Sequence, residues 1–517
     1  AVPRDAEGHA TTGYRHRGFF VGADMRAALA QGQADVVPVS LAQVPQLMRI
    51  GRIPVDVALI QVSPPDAFGF VSLGVSVDIV AAAVAAARVV IAEVNPAMPC
   101  TRGESQLHVD QIHHLVPVDT PVIEYAHPAV PGPVTQQIAR YVSGIVDDGS
   151  TLQIGLGRVT NEALKRLTDR RDLGIHSDVI TDVVVPLLEA GVVTGARKSD
   201  RPGRIVASFA MGTRRLYDLI DGNPRFHFEP IDALCRPEVL AAQHKLVSVT
   251  QAFAIDLTGQ VCADRLDGSW YGGLAAQAEF MRAAAASPGG KAIVCLASTQ
   301  DDGRTSAIRV ALADGEGATI ARSDVHFVIT EYGIAYLFGR SLRERAIALI
   351  EIAHPDHRAA LFAQAQAAGL IPADQALKNL HAYAVQDERT LTLKDGRTVL
   401  MRPAGATDAE GIRTLFHRMP ERDVYTRFFR NIRGLSNRDA QRLCNLIEVA
   451  CVAAVGPGED PQVVAHTCYF TDADTGYAET AFMIHPDWQR CGLAGAMQSR
   501  MVEHARERGV RGFVADV

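Results

Sequence analysis

The chain has 517 residues, more than one hydrophobic core can organise, and length alone leads to an expectation of about three domains. Its 48% apolar and 21% charged residues are those of an ordinary soluble globular protein. A net charge of −7 removes any general electrostatic pull toward nucleic acid or an anionic membrane, so neither is expected as a partner.

The eight cysteines are scattered, with no C-x-x-C pair and no histidine spacing suited to zinc. They read as buried thiols of a reducing cytoplasm, and no metal site is expected. The most apolar run, Ile79 to Ala87, is bounded by Asp78 and Arg88 and is far short of a membrane span. No signal peptide is visible, which makes a cytoplasmic location the expectation. The chain begins at Ala1 and ends at Val517 inside a strand-like segment, so truncation is expected at both ends.

Residues 1 to 20 are polar and say little. From Gly22 on, strand-like Asp35 to Val39, helical Leu41 to Ile50 and strand-like Val55 to Val62 alternate. Ile79 to Arg88 followed by Val89 to Val94 repeats the rhythm, and Val134 to Ile145 reads as a further helix. Such alternation predicts parallel sheets covered by helices. After the strand Thr151 to Ile154 comes Gly155-Leu156-Gly157 and a helix from Asn161. A strand, a Gly-x-Gly turn and a helix N-terminus can cradle a phosphate or a carbonyl, although a tight turn alone explains the same residues. The rhythm continues through the helix Val183 to Gly191, the strands Arg204 to Phe209, Lys291 to Leu296 and Val325 to Thr330, and the helix Ser341 to Ile352. Two open α/β halves with a cleft between them are expected, 1–183 and 184–380. His354, before Pro355, reads as a cap.

Within the second half, Leu246 to Leu257 is apolar and β-branched and stops at Thr258-Gly259, as a buried strand does. The loop that follows carries Gly268, Gly272, Gly273, Ala275 and Ala276. Small residues let backbone N–H groups approach a ligand and hold a developing oxyanion; they equally suit a plain turn before the helix Gln277 to Ala286.

A linker is expected at 381–389, and the pattern then changes. Thr390 to Leu393 and Thr398 to Met401 alternate around Asp395-Gly396, a hairpin signal. Thr407-Asp408-Ala409-Glu410 is a capping box opening a helix to His417. Strands at Val449 to Val455, Val463 to Phe470 and Ala478 to Ile484 make residues 390–517 a domain of antiparallel β with helices. Its last strand, ending in Met483-Ile484, leads into Gln489-Arg490-Cys491-Gly492-Leu493-Ala494-Gly495, a helix to about Glu507 and a strand from Gly512. Small residues at that helix N-terminus expose consecutive N–H groups suited to a pyrophosphate. Glu479, on the preceding strand, is a candidate base for deprotonating an amine, or else a surface glutamate on an alternating strand.

Two resemblances follow from these motifs. The series Asp256-Leu257-x-Gly259-Gln260-Val261, then Gln277-x-Glu279-Phe280 and Arg282, together with Val55 to Asp66, Glu93-Val94-Asn95-Pro96, Thr330-Glu331-Tyr332-Gly333 and Ile352-Ala353-His354-Pro355, resembles the acetyl-CoA hydrolase/transferase family over about residues 15 to 365. The resemblance implies two CoA-transferase-type α/β domains, acyl-CoA as ligand, a carboxylate acceptor, and CoA contacts from Gly155, Gly157, Gly272, Gly273 and Gln277. It also implies a nucleophilic Glu two residues before Asp256. Here that position is Ala254, whose methyl group cannot attack a thioester. The family's Gly-Gly is likewise replaced by Ala275-Ala276, with Gly272-Gly273 just upstream.

The second resemblance is to the GNAT N-acetyltransferase superfamily, carried by Gln489-x-x-Gly492-x-Ala494. Pro403, Asp408 and Tyr425 to Phe429 are similar to the start of bacterial protein-lysine acetyltransferases of that superfamily. It implies acetyl-CoA contacts from Met483, Ile484, Gln489, Arg490, Gly492, Ala494 and Gly495 and an amine acceptor. No tightly bound cofactor is expected, and a homo-oligomer is allowed. Three functions stay open: a CoA-transferase or acyl-CoA hydrolase fused to an acetyltransferase, a catalytically dead acyl-CoA sensor controlling that acetyltransferase, and hydrolysis by water with Asp256 or Glu331 as base.

Overall fold

The computed structural model describes residues 15–126, 131–266, 268–300, 303–372, 389–404, 408–428, 432, 434–436, 439–440, 443, 452–455, 462–472, 475–507 and 510–514. The chain divides into two compact units, Ala1–Ala373 and Asp374–Val517. Among the described residues no helix is long and apolar enough to cross a membrane.

In the first unit β1 (Val57–Val62), β2 (Val89–Val94) and β3 (His114–Pro117) form a small parallel sheet in that order. Helix α1 (Pro133–Gly144) then leads into β4 (Thr151–Ile154), α2 (Arg158–Lys165), β5 (Gly174–Ile180), β6 (Ile205–Ala210), β7 (Phe226–Phe228) and β8 (Leu246–Gln251). After these come α3 (Gln277–Ala286), β9 (Lys291–Cys295), β10 (Phe327–Thr330), β11 (Gly333–Tyr336), α4 (Leu342–Glu351) and α5 (Pro355–Ala367). The eight strands form one sheet, ordered β7-β6-β5-β4-β8-β9-β10-β11. All its pairings are parallel except β10 with β11.

Every residue of β5, and all of β8 but Gln251, is buried. Helices cover both faces of a parallel sheet, which is why β8 is buried on both sides, while β5 buries His176, Ser177 and Asp178 as well. The boundary expected at 183 cuts this sheet, since β4 and β5 precede it and β6 to β11 follow. The βα rhythm is the same on either side of that residue, and local periodicity carries no information about which strands pair.

The strand expected from Leu246 to Leu257 changes partner halfway. Ala252 N–H still donates to Cys295 O beside β9, but Phe253 N–H donates to Cys262 O. Ala254–Asp256 then belongs to a separate three-stranded sheet with Val261–Cys262 and Ile308–Arg309. His354 caps α5, its Nδ1 accepting from Asp356 N–H.

The second unit contains β12 (Arg389–Thr392), β13 (Thr398–Pro403), α6 (Ala409–Arg418), α7 (Glu421–Phe428), β14 (Val452–Val455), β15 (Val463–Thr471), β16 (Tyr477–Ile484), α8 (Leu493–Glu507) and β17 (Gly512–Val514). Its strands form one sheet in sequence order, antiparallel except for the last pair, β16 with β17. The β12–β13 hairpin closes at Asp395-Gly396, where Gly396 has φ +84°. One core packs Ile412, Leu415, Phe416 and Val424 of α6 and α7 against Cys468 and Met483. A second packs Leu493 and Met497 of α8 against Val399, Met401 and Ala465.

The capping box expected at 407–410 rests on Thr407 and the Glu410 side chain, which lie outside the described residues. Helix α6 begins at Ala409, and Asp408 makes no cap; its carboxylate accepts from both Nη atoms of Arg402 at 2.6 Å. Thr407, Phe429 and all of the expected linker but Arg389 lie outside the described residues, as do the side chains of Tyr425 to Phe428.

Candidate functional site

In the large sheet the chain runs outward from β4 through β5 and β6 to β7, then returns to place β8 on the other flank of β4. The order of connection therefore reverses between β4 and β8. At such a switch point the loops after the two strands leave in opposite directions and open a crevice at their carboxyl ends, where ligands of open α/β sheets bind.

The loop after β4 is Gly155-Leu156-Gly157, and α2 starts at Arg158. A β-carbon on Gly155 would stand 3.1 Å from Val249 O, and one on Gly157 would stand 2.8 Å from Gln251 Oε1. The loop thus lies close against the end of β8, with the tighter constraint at Gly155, which faces backbone. Thr160 Oγ1 donates to Gly155 O at 2.7 Å and bonds Gly157 O at 2.9 Å, holding the turn on the helix. Beneath the loop, Ser248 Oγ donates to Gln153 Oε1 (2.7 Å), and Gln153 Nε2 donates to Asp178 Oδ1 (3.4 Å). This chain ties β8, β4 and β5 together. Burial pushes the Asp178 carboxyl above the usual carboxylate range, with the bond from Gln153 opposing.

Five of the positions singled out by sequence have specific surroundings near the strand ends. Ala254 is 1% exposed and pairs with Cys262. Asp256 is 2% exposed. Its Oδ1 accepts from Thr258 N–H, Thr258 Oγ1 and Gln260 N–H (2.9, 2.6 and 3.0 Å), and its Oδ2 accepts from Gln260 Nε2 (2.6 Å). Those bonds lock the turn at Thr258-Gly259, so both oxygens that a general base would need are engaged. Glu331, after β10, accepts from Ser298 N–H (3.0 Å) and Ser298 Oγ (2.5 Å), which joins the ends of β9 and β10. Gln277 begins α3, whose N-terminus lies at this carboxyl edge because α3 crosses over between parallel β8 and β9. Gln277 Oε1 and Glu279 Oε2 are both buried without a protein partner, and such polar atoms call for a ligand or water.

The backbone of Gly272, expected as an oxyanion donor, is paired with Val21. Gly272 N–H donates to Val21 O (3.1 Å) and Val21 N–H donates to Gly272 O (2.7 Å). A β-carbon on Gly273 would stand 2.5 Å from Phe19 O. The two glycines admit the segment Phe19 to Val21, a contact between residues some 250 positions apart that local pattern cannot announce. Ala275 is at φ +45°, a left-handed conformation that a glycine accepts more readily. Sequence reasoning also missed Gln251 and Ser298, which have ordinary neighbours along the chain and acquire meaning only from the strand ends beside them.

A second candidate opening lies at the carboxyl ends of β1 and β2. Ser63, Pro64 and Pro96 to Cys100 face Arg214, Tyr217, Asp218 and Asp221 across a solvent-open crevice of about 510 Å³.

In the second unit, the described residues of β17 pair with β16 from Tyr477 with Gly512 to Glu479 with Val514, and β16 continues to Ile484. Glu479 is exposed. The loop before α8 carries two left-handed residues, Arg490 at φ +61° and Gly492 at φ +94°. Gln489 Nε2 donates to Asp423 Oδ2 at 3.1 Å, so its side chain is committed to α7. The Met483 side chain is fully buried in a core with Ile412, Leu415 and Phe416. A β-carbon on Gly495 would meet nothing within 4 Å, leaving open space at the first turn of α8.

Residues 5–131 match the acetyl-CoA hydrolase/transferase N-terminal domain, and residues 212–365 match the C-terminal domain of the same family. The chain is 41% identical over 348 residues to a 4-hydroxybutyrate coenzyme A transferase of Clostridium kluyveri, covering 67% of this chain and 81% of that protein. It is 39% identical over 360 residues to a succinyl-CoA:acetate/propanoyl-CoA:succinate CoA transferase of Fasciola hepatica, covering 69% and 74%. Among solved structures, RipA from Yersinia pestis superposes with a TM-score of 0.64 at 33% identity, covering 69% of this chain and 82% of RipA. With matches of this extent on both halves of the first unit, the chain belongs to the acetyl-CoA hydrolase/transferase family.

Proposed function

We propose that the first unit binds an acyl-CoA at the β4/β8 switch point without forming a covalent glutamyl-CoA intermediate, and that the second unit is a GNAT-type acetyltransferase. The observation that carries the first part is Ala254, a fully buried methyl group where the family resemblance implies the nucleophile. The nearest alternatives are engaged: Asp256 holds its own turn, and Glu331 is held by Ser298. The Gly155–Gly157 loop and the unpartnered Gln277 Oε1 support retained ligand binding. In this reading the first unit senses acyl-CoA, and acetyl transfer to an amine belongs to the second.

Support for the acetyltransferase comes from geometry within the second unit. Strand β16 leads into the loop that carries Gly492, and the N-terminus of α8 follows it, an arrangement suited to a pyrophosphate. Glu479 is the candidate base, with its exposed carboxylate on that strand.

One observation favours a second reading, thioester cleavage by water. Glu331 is half-buried and accepts two bonds, both from Ser298, against the four accepted by Asp256, so it keeps lone pairs that could position a water without a covalent step. Mass spectrometry after incubation with acetyl-CoA, read beside thioester cleavage with and without acetate, tests both. The expected result is no CoA adduct on any carboxylate and no acetate-dependent transfer. An adduct on Asp256, Glu279 or Glu331 overturns the proposal, and cleavage without an adduct selects hydrolysis.

A further inference from the structure

Strand β7 is the edge of the large sheet, and its flank is covered by a segment from the first half of the unit. Phe228 N–H donates to Arg102 O (2.8 Å) and Glu104 N–H donates to Phe228 O (2.7 Å), so residues 102–104 run alongside β7. Gly103 permits this approach: its φ is +108°, and a β-carbon there would stand 2.4 Å from Phe228 O. Phe226 and Phe228 turn inward and are fully buried, which places His227 and Glu229 on the opposite side of the strand by its two-residue period. Glu104 arrives beside them from the neighbouring segment.

The potential ligand atoms of Glu104, His227 and Glu229 lie within 4.8 Å of one another. A cluster of acidic groups alone would mean nothing, but this one contains unsatisfied buried atoms. Glu229 is 1% exposed, and its Oε1 has no hydrogen-bond partner. Both ring nitrogens of His227 are buried and equally without a hydrogen bond. The nearest charged contact of the ring is His227 Nε2 to Glu229 Oε2 at 3.7 Å, too long for a hydrogen bond, and buried polar atoms of this kind call for a ligand or water.

Nearby cations leave the cluster short of neutral. Arg201 Nη2 is 2.8 Å from Glu229 Oε2 and 4.0 Å from Glu104 Oε1, but Arg201 Nη1 is shared with Asp200 at 2.6 Å. Lys198 Nζ is turned to Ile175 O at 2.9 Å. Arg201 thus engages Glu229 Oε2, the oxygen 3.7 Å from His227 Nε2, and leaves Oε1 without a hydrogen bond. The Glu104 side chain is 56% exposed and free to swing, so it can close the remaining distance.

We propose that Glu104, His227 and Glu229 bind a divalent first-row transition-metal ion that rivets residues 102–104 onto the open edge of the large sheet. One imidazole and two carboxylates form a nitrogen–oxygen set that suits Zn²⁺, with ligand distances of about 2.0–2.2 Å. Covering an edge strand in this way also blocks it from pairing with another chain. Spacing along the chain conceals the set, because Glu104 is remote in sequence from the other two.

The test uses the full chain stripped with a chelator, Zn²⁺ titrated by calorimetry, and Co²⁺ as a spectroscopic probe. One saturable equivalent of Zn²⁺ and a raised Tm are expected, with Co²⁺ giving weak visible bands and no thiolate charge-transfer band. Glu104→Gln and His227→Gln should each weaken Zn²⁺ binding by about tenfold or more, judging from how strongly metal affinity responds even to partners of the ligands. Because Glu104 is largely exposed, its variant tests the site even if His227→Gln fails to fold. Absence of saturable binding, equal affinity in Glu104→Gln, or a thiolate band from the cysteines would each overturn the proposal.

Discussion

Gln251 Oε1, at the end of β8, lies 2.8 Å from where a β-carbon on Gly157 would stand, so the loop after β4 and the end of β8 touch across the switch point. An alanine at 157 meets only the far end of a flexible amide, whereas a branched side chain would fill the turn. Gly157→Val is therefore expected to weaken acyl-CoA binding to the first unit by about tenfold or more, a loss of roughly 1.4 kcal/mol. Calorimetry checks it, with circular dichroism to show that the fold is kept. Unchanged affinity would remove this loop from the site.

Ala254→Glu asks whether the nucleophile is the only missing part. Position 254 is 1% exposed, so a carboxylate there must find hydrogen-bond donors to stay ionised. A lower Tm is expected, together with CoA transfer from acetyl-CoA to a free carboxylic acid above the level of the parent. A folded variant that binds acyl-CoA and shows no transfer would mean that Ala275 and Ala276 have also remodelled the loop.

The acetyltransferase proposal is best tested at Gly495. Gly492 sits at φ +94°, so replacing it would strain the backbone as well as add charge. Gly495 has open space around its Cα. An aspartate in the first turn of α8 favours the helix through its dipole but repels a pyrophosphate. Gly495→Asp is expected to abolish one of two acetyl-CoA binding events in the full chain while Tm holds or rises. Two events in the variant would count against the assignment.

Acid should destabilise the first unit through His176. This residue is fully buried between Leu234 O (3.1 Å from Nε2) and Gln243 Nε2 (3.4 Å from Nδ1), and burial, aided by the nearby Lys198 charge, pushes its pKa down to about 4. The unfolded chain takes up the proton near pH 6.5 and the folded one only near 4, so the unfolded state binds more protons between those values. Stability is complete above about pH 6.5 and is lost as pH falls toward 4, by about 3 kcal/mol. In His176→Gln, which keeps a donor for Leu234 O, the Tm-against-pH profile should lose this part of its slope. An identical profile would assign the acid sensitivity to other groups.

Local chemistry announced the elements. The alternation of β-branched runs with helical stretches, Asp395-Gly396 at the β12–β13 turn and the Gly155–Gly157 loop after β4 all depend on neighbours within a few residues, and short-range sterics is what a single sequence displays. Ala254 is legible only through the family resemblance, which implies a Glu two residues before Asp256 where this chain has an alanine. Pairing across the chain is not of that kind. Only the folded chain put β4 and β5 in one sheet with β6 to β11, carried Ala254–Asp256 onto a different sheet from β8, and spent the Gly272 backbone on Val21. It likewise committed both oxygens of Asp256 to a turn and brought Glu104 to His227 and Glu229. Each of these depends on hydrogen bonds or close approaches between residues whose contact is decided by which strands are neighbours, and residue type along the chain does not encode that order locally.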